Sequence, residues 1–361
     1  MTQFQVLKTD LSNHRMVAEA NASPLRDGDI RVAVERFGLS ANNITYGVAG
    51  DTLGYWQFFP SAQNENNQWG IIPVWGFAEV IESTRSDLPV GERLFGYFPP
   101  ASQWVMTPDD VTDSHFFDAS SHRADLPRGY NLYRRVNHDP GYDRKNDDLH
   151  MLLFPLYLTS FSLWDDLKDN GWYGADSVLI TSASSKTAIG LAYALADDPD
   201  APKRVGLTSQ KNAIFVEALG IYDEVITYDD LSGLEQGPTA IVDMAGNAPV
   251  LGKIHQHLGD NLMISLGVGL THWETSRSDQ GVNRDKSRFF FAPKRIQQRM
   301  KDWGPAEFTK RSSSFIMSAS RRSVKWLTLE TINGLDAMAP VYEELQQGSM
   351  GPERGIVVKL R

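Results

Sequence analysis

Ser177–Ala196 reads SVLITSASSKTAIGLAYALA. SVLIT is a short apolar run of the buried-strand type, and Thr187–Ala196 has helical composition, with Ile189, Tyr193 and Leu195 among small residues. A tight turn of small residues joins them. A strand that turns directly into a helix aims the first backbone N–H groups of the helix at one point, where doubly wound folds receive a pyrophosphate. Glycine is expected in such a turn; Ser185 and Ala188 stand there instead, small enough for close backbone approach. Ser184, Ser185, Lys186 and Thr187 are the candidate pyrophosphate contacts, with Lys186 adding positive charge. The same residues also read as a plain helix N-cap by Ser184 or Ser185. A phosphate loop of the NTPase type needs glycine directly before the lysine, so Ser185 disfavours that alternative.

Downstream, strands and helices alternate. RVGLT (Arg204–Thr208), EVIT (Glu224–Thr227), AIVDM (Ala240–Met244) and Asn261–Leu266 read as strands, and Asn212–Leu219 and Val250–Leu258 as helices. This spacing predicts right-handed crossovers and an α/β, Rossmann-type doubly wound parallel sheet. The second strand runs into Thr208-Ser209-Gln210-Lys211-Asn212, with no carboxylate. An NAD-preferring site places an acid there; Thr208, Ser209, Lys211 and Asn212 suit a 2′-phosphate instead, which predicts NADP. The same stretch also reads as a polar turn whose Ser209 caps the next helix. Tyr228, in VITYDD, is a further contact for that phosphate or a half-buried aromatic at a strand end.

The chain has 361 residues, enough for about two domains. It carries 35 Lys and Arg against 45 Asp and Glu, a net charge of −10. That balance argues against general affinity for nucleic acid or anionic membrane. Cysteine is absent, which excludes disulfides, thiolate nucleophiles and zinc sites that need Cys. The first residues, MTQFQVLKTDLSNHR, lack a charged segment followed by an apolar run, and Met151–Trp164 is shorter than the roughly 20 residues of a membrane span. A cytoplasmic protein is expected.

Before residue 150 the sequence is strand-rich: IRVAVERF (Ile30–Phe37), the run IIPVWGFAEVIE with breaks at Pro73 and Gly76, and GERLFGYF (Gly91–Phe98). Residues 107–149 are polar, lack a long apolar period and read as a surface excursion, a lid or part of an interface. From Arg277 to Lys325, 13 Lys and Arg face four acids. Arg284, Lys286, Arg288, Lys294 and Arg295 could meet the phosphates of coenzyme A, or simply form a solvated or intersubunit face. RFFFAP, Arg288–Pro293, reads as a buried or dimer-edge strand. A helix is expected around Lys294–Trp303 and more helix over Val324–Leu345, with breaks at Gly334 and Pro340.

In this order the motifs resemble the medium-chain dehydrogenase/reductase superfamily. IPVWGFAEVIES and VGERLFGYF are similar to strands of its GroES-like domain, LYLTSFSLWDDL to the helix before the nucleotide fold, IVDMAGN and MISLGVG to later strand ends, and GIVVKL to the closing strand. The resemblance implies a GroES-like β-rich catalytic domain over residues 1–148, completed by 310–361, and a nucleotide-binding domain over 149–309. It also implies cofactor contacts at Thr159, Gly246, Leu266 and Gly267. Without Cys, the zinc sites of the metal-dependent members are excluded, and His255 and His257, two apart, fall on different helix faces. The chain therefore resembles the zinc-free quinone and enoyl reductases, as an atypical subgroup. Ser40-Ala41-Asn42-Asn43-Ile44-Thr45-Tyr46-Gly47 resembles the segment lining the nicotinamide cleft, which makes Tyr46 a proton or hydrogen-bond donor and Asn43 an orienting group. The same segment also reads as a turn with Tyr46 packed at a domain edge, and Thr159 as a hydroxyl bonded to its own helix.

The expected activity is NADPH-dependent hydride transfer to an activated C=C of an enone or enoyl thioester. The alternatives are quinone reduction or a nucleotide-binding relative without turnover. The expected partner is a small molecule, a CoA thioester or a quinone, in a homodimer.

Overall fold

A computed structural model describes residues 1–18, 24–268 and 281–361. They form two compact units: Met1–Leu152 with Leu327–Arg361, and Leu153–Trp326.

The first unit holds strands β1 (Thr2–Leu7), β2 (Asp10–Ala18) and β3 (Ile30–Leu39), helix α1 (Ala41–Val48), and strands β4 (Trp69–Gly70), β5 (Val74–Ser83), β6 (Arg93–Phe98), β7 (Gln103–Met106), β8 (Pro108–Asp109), β9 (His115–Asp118) and β10 (Leu132–Arg135). The C-terminal segment adds β17 (Thr328–Asn333), helix α8 (Ala339–Gln346) and β18 (Arg354–Lys359). One sheet runs β17-β18-β3-β5-β6-β10-β9-β8, with β7 also on β3. β3 pairs antiparallel with β5, β7 and β18, which explains why nine of its ten residues are buried. Gly76 lies inside β5 rather than breaking it: a side chain there would run into the Arg36 carbonyl and Phe37, so glycine permits the close strand approach.

The excursion at 107–149 is not a loop. β8, β9 and β10 extend the large sheet, and their shortness and polar composition hide them from periodicity. What fixes this region is a buried charge. The Arg123 guanidinium donates to Asp118 Oδ2 at 2.8 Å, Asn131 Oδ1 at 2.8 Å, the Tyr133 hydroxyl at 3.0 Å and the Tyr130 carbonyl at 2.9 Å, and it lies over Phe58 and Phe59. Both the Arg123 and Asp118 side chains are 0% exposed.

Helix α2 (Asp147–Asp169) begins in this unit. His150, in its first turn, packs its ring 4.4 Å from Phe95. Burial, and secondarily the charge of Arg134, push its pKa down to about 3. A histidine depressed in the folded state but ordinary in the unfolded chain binds its proton preferentially on unfolding, so stability is full above pH 6.5 and falls as the pH drops toward 3. Because the residue keeps some exposure, we expect about 2 kcal/mol of this loss between pH 7 and 4, below the full linkage value. Urea titrations of the protein and of His150→Phe at both pH values measure it. The slope difference should vanish if His150 is not its source.

The second unit is built on β11 (Ser177–Thr181), β12 (Lys203–Thr208), β13 (Glu224–Thr227), β14 (Thr239–Asp243), β15 (Leu262–Val268) and β16 (Ser287–Phe290). The order β13-β12-β11-β14-β15-β16, parallel throughout, is the 3-2-1-4-5-6 order of a doubly wound sheet. Helices α3 (Lys186–Ala196), α4 (Ala213–Ala218), α5 (Ala248–Leu258), α6 (Ala292–Trp303) and α7 (Pro305–Ser323) complete the unit with the rest of α2. Leu179, Val205, Leu207, Ile241 and Ile254 form part of its core. Among the described residues, no helix is long and apolar enough to cross a membrane.

Three expectations fail here. Within the helical stretch expected over Val324–Leu345 with breaks at Gly334 and Pro340, Thr328–Asn333 is instead strand β17, held in parallel register by β18, and Pro340 opens α8 instead of breaking a helix. The boundary at 309/310 would cut α7, a single helix that buries Phe308 and Ile316 and whose Ser323 hydroxyl bonds that of Tyr157, so residues 310–326 belong to the second unit. Three arginines of the basic stretch, of which 277–280 lie outside the described residues, are paired with acids of α2 within the unit. Arg288 pairs with Asp166, Arg295 with Asp165 and Asp169 at 2.6 and 3.0 Å, and Arg299 with the same two at 2.8 and 2.7 Å. The acids of α2 draw these cations inward, against a phosphate-binding role for Arg288 and Arg295.

Candidate functional site

The turn after β11 is built from hydroxyl groups. Ser182 takes a left-handed backbone, φ 49°, a conformation that favours glycine. Its N–H donates to the Tyr228 hydroxyl at 2.7 Å, its carbonyl accepts from the Ser185 N–H at 2.7 Å, and the Ala183 N–H donates to the Leu207 carbonyl at 3.1 Å. Ser185 is the N-cap of α3, its hydroxyl accepting from the Ala188 N–H at 3.3 Å. Ser184 is buried and its hydroxyl accepts from Asn212 Nδ2 at 3.0 Å. The first turn of α3 then carries Lys186 and Thr187, both half-buried.

The structure thus joins two groups that the sequence presents separately. The Ser184–Asn212 bond ties the first turn to the end of β12, and Tyr228 ties it to the end of β13. The Tyr228 ring is therefore a prop of the turn. Ser209 and the exposed Lys211 flank Asn212, and no carboxylate lies in Thr208–Asn212. Thr208 Oγ1 is buried without a hydrogen-bond partner.

Two residues escaped sequence reasoning. Thr181 and Asp243 end the adjacent strands β11 and β14, where the strand order reverses. The Thr181 hydroxyl donates to Asp243 Oδ1 at 2.8 Å and accepts from the Met244 and Ala245 N–H groups at 2.9 and 3.1 Å; the same carboxylate oxygen takes the Ala245 and Gly246 N–H groups, each at 3.1 Å. This locks the loop that carries Gly246, at φ 64°. Their signal was positional: a hydroxyl and an acid at the last residue of neighbouring strands. Leu266 and Gly267 are buried on β15, Gly267 in register with Asp243. Thr159 turns its hydroxyl back to the Pro155 carbonyl at 3.0 Å, the local helix bond. His255 accepts from the Asn283 N–H, while the His257 ring contacts the Leu234 carbonyl, so they do not form a pair.

Tyr46 and Asn43 belong to the first unit, on α1, a helix rather than a turn. The Asn43 side chain is committed: Oδ1 accepts from the Ser40 N–H at 2.8 Å in a capping box, and Nδ2 donates to the Pro73 carbonyl at 2.9 Å. An orienting role toward substrate is therefore not available without breaking the cap. Tyr46 is buried, its hydroxyl 3.4 Å from Trp75 Nε1, and burial raises its pKa.

A six-stranded doubly wound unit with this turn, and a β-rich unit closed by the C-terminal strand, together make the fold of the medium-chain dehydrogenase/reductase superfamily. It is shared by a Vibrio vulnificus CurA crystallised with NADPH (12% identity, 100% of this chain and 99% of that one, TM-score 0.60). A yhdH oxidoreductase from Salmonella enterica in complex with NADP (13%, 100% and 100%, 0.54) and a quinone oxidoreductase from Coxiella burnetii (16%, 100% and 99%, 0.56) share it as well. Within that fold the chain belongs to the family described as "Protein of unknown function (DUF2855)", whose model matches residues 37–351. No curated protein matches it significantly.

Proposed function

We propose that the protein is an NADPH-dependent, zinc-independent oxidoreductase that reduces an activated C=C of an enone or enoyl thioester. The observation that carries this reading is the Ser182–Ser185 turn. It keeps a glycine-type backbone at the switch from β11 to α3, and a cation and hydroxyls, without an acid, stand at the end of β12. Non-glycine residues held in that backbone region cluster where a site requires the conformation. The residues fit the dinucleotide: small side chains at 182–185 leave the first-turn amides of α3 approachable, and Thr208 Oγ1 is an orphaned buried hydroxyl at the strand end on the adenosine side. Backbone N–H groups of Ser184, Lys186 and Thr187 would hold the pyrophosphate, the Ser185 N–H being bonded to the Ser182 carbonyl, with Ser209, Lys211 and Asn212 on the 2′-phosphate. The locked Thr181–Asp243 pair fixes the loop at Gly246 beside them.

When bound, NADPH supplies the hydride that the β-carbon of the acceptor gains, leaving negative charge on the acceptor's oxygen. The Tyr46 phenol, held protonated by burial, serves that oxygen as a donor and cannot serve as a base. Tyr228 already occupies the Ser182 amide. A second reading, motivated by the missing glycines of the turn, is a nucleotide binder without turnover. Quinone reduction is the other reading within enzymes.

Thermal shift separates these. Ligand that binds the folded state raises the midpoint by mass action, about 2.7 kcal/mol at a hundredfold excess over Kd. NADPH should raise it well above NADH, and Lys211→Glu should erase the difference. A larger shift with NADH would overturn the phosphate assignment, and no shift with either would overturn the cofactor. A shift without NADPH oxidation across enones, enoyl-CoA and quinones would leave the binder.

A further inference from the structure

Strands β1, β2 and β4 form a small sheet of their own in the first unit, in the order β2-β1-β4. Beside it lies a polar cavity of about 410 Å³, lined by Arg15 of β2, Trp69 of β4 and the loop that leads into β4, with Glu65, Asn66 and Gln68. Its floor rests on two buried glutamines of β1, Gln3 and Gln5. Buried amides need partners, and these two serve each other and the loop. Gln5 Nε2 donates to Gln3 Oε1 and to the Ala62 carbonyl, each at 2.9 Å, and Gln3 Oε1 accepts from the Ala62 N–H at 3.0 Å. Gln5 stands directly across from Arg15 on β2, and its Oε1 accepts from Arg15 Nε at 3.0 Å and Nη2 at 2.9 Å. Nη2 also donates to the Gln63 carbonyl at 2.8 Å, and the guanidinium lies 4.2 Å over the Trp69 ring.

The loop is held as firmly. Asn64 Oδ1 accepts from the Trp69 N–H at 3.0 Å, Asn64 Nδ2 donates to the Trp69 carbonyl at 2.7 Å, and Lys8 Nζ donates to Asn67 Oδ1 at 2.7 Å. Gln63 and Asn67 take left-handed backbone, φ 51° and 53°, which non-glycine residues keep only where their surroundings impose it. Neutral amides, not acids, thus orient Arg15. Among the described residues no carboxylate pairs with it, and Nη1 has no hydrogen-bond partner. A guanidinium fixed in place with its charge unanswered is a ready anion receptor. The Glu65 carboxylate lines the same cavity and likewise has no partner among the described residues, and the side chains of Asn66 and Gln68 are unbonded too.

We propose that this cavity binds a free α-amino acid, its carboxylate on Arg15 Nη1 and its ammonium group on Glu65, with Asn66 and Gln68 facing a polar side chain. Opposite charges that share a cavity without pairing suit a ligand that carries both. A ligand with one charge leaves the other unanswered, and a dicarboxylate or a phosphate meets Glu65 with like charge. The volume is that of a small-molecule site. Nothing in this site depends on nucleotide or on the reductase chemistry.

The probe is L-glutamine, titrated calorimetrically into the full chain without NADPH. Two analogues each remove one charge: glutaramate lacks the ammonium group, and 4-aminobutanamide lacks the carboxylate. L-Glutamine should bind, and each analogue should bind about tenfold more weakly or worse, the contribution of one charge-assisted hydrogen bond. Arg15→Met and Glu65→Gln should each weaken L-glutamine by a similar factor. Arg15→Met also strips Gln5 of its donors; Glu65 is exposed, so Glu65→Gln serves if Arg15→Met fails to fold. Glu65→Gln should leave the NADPH thermal shift unchanged, so loss of that shift in the parent removes the reductase reading and not this site. No heat of binding up to about 10 mM L-glutamine, or equal binding by the parent and Glu65→Gln, overturns the site. Glutaramate binding as tightly as L-glutamine overturns the amino acid in favour of a simple carboxylate. D-Glucose binding that Glu65→Gln abolishes, with L-glutamine silent, overturns it in favour of a saccharide.

Discussion

Arg123→Met will destabilise the protein by about 3–5 kcal/mol, read as a fall in unfolding free energy by urea titration. The guanidinium has no exposure and answers four acceptors, one of them the equally buried Asp118 carboxylate. Methionine fills much of the volume but leaves that carboxylate in an apolar pocket under Phe58, Phe59 and Tyr133, with its Thr107 and Ser120 donors but without its counter-charge. The cost is thus the unpaired charge rather than a lost attraction. A double variant distinguishes these: Arg123→Met with Asp118→Leu removes both charges and should recover part of the loss, because a buried ion pair is often replaceable by apolar residues at little net cost. A double variant no more stable than Arg123→Met would show that the Asn131, Tyr133 and Tyr130 bonds, not the charge, hold the region together.

That pair also shows where sequence reading stops. In the second unit each strand is an apolar run between turn signals, so Ser177–Thr181 and Glu224–Thr227 are recovered residue for residue. Residues 107–149 have no such run. Their strands are two to four residues long, and the region is organised by Arg123, a residue type that sequence patterns place on surfaces. Helix α7 is hidden for a related reason. Its serines read as loop composition, yet Ser312 and Ser323 are buried and bond back to the Phe308 and Ala319 carbonyls. β17 fails the other way, since TLETIN has no apolar period and becomes a strand only because β18 offers it an edge.

The candidate site divides along the same line. That Ser182–Lys186 is a turn into a helix is local and legible. That Asn212 and Tyr228 reach back to it depends on sheet order, and so does the Thr181–Asp243 lock. At Asn43 a capping box and a substrate-facing amide have the same local sequence, and the bond to Pro73, 30 residues on, is set by the fold.

One glycine connects fold to nucleotide binding, and its replacement is expected to do the second-largest damage. Gly190 lets α3 pack closely against Tyr157 and Ser160 of helix α2. A Cβ at Gly190 would lie 2.5 Å from both Ser160 Oγ and the Tyr157 ring, and Tyr157 is buried and bonded to Ser323, so it has nowhere to move. Ser160 also donates to the Thr187 carbonyl at 2.7 Å, which sets the depth at which α3 begins. Gly190→Val must push α3 off α2 or strain both. Overpacking of this kind costs about 1–3 kcal/mol, and we expect the upper end, with Gly190→Ala milder because helix propensity returns up to about 1 kcal/mol. Since Ser185 and Lys186 ride on the same helix, the shift should also displace the first-turn amides and weaken NADPH several-fold. Urea titration and NADPH binding by Gly190→Val test both parts. Lost stability with intact NADPH affinity would mean that the position of α3 does not govern the nucleotide, and that its phosphates are held by the end of β12.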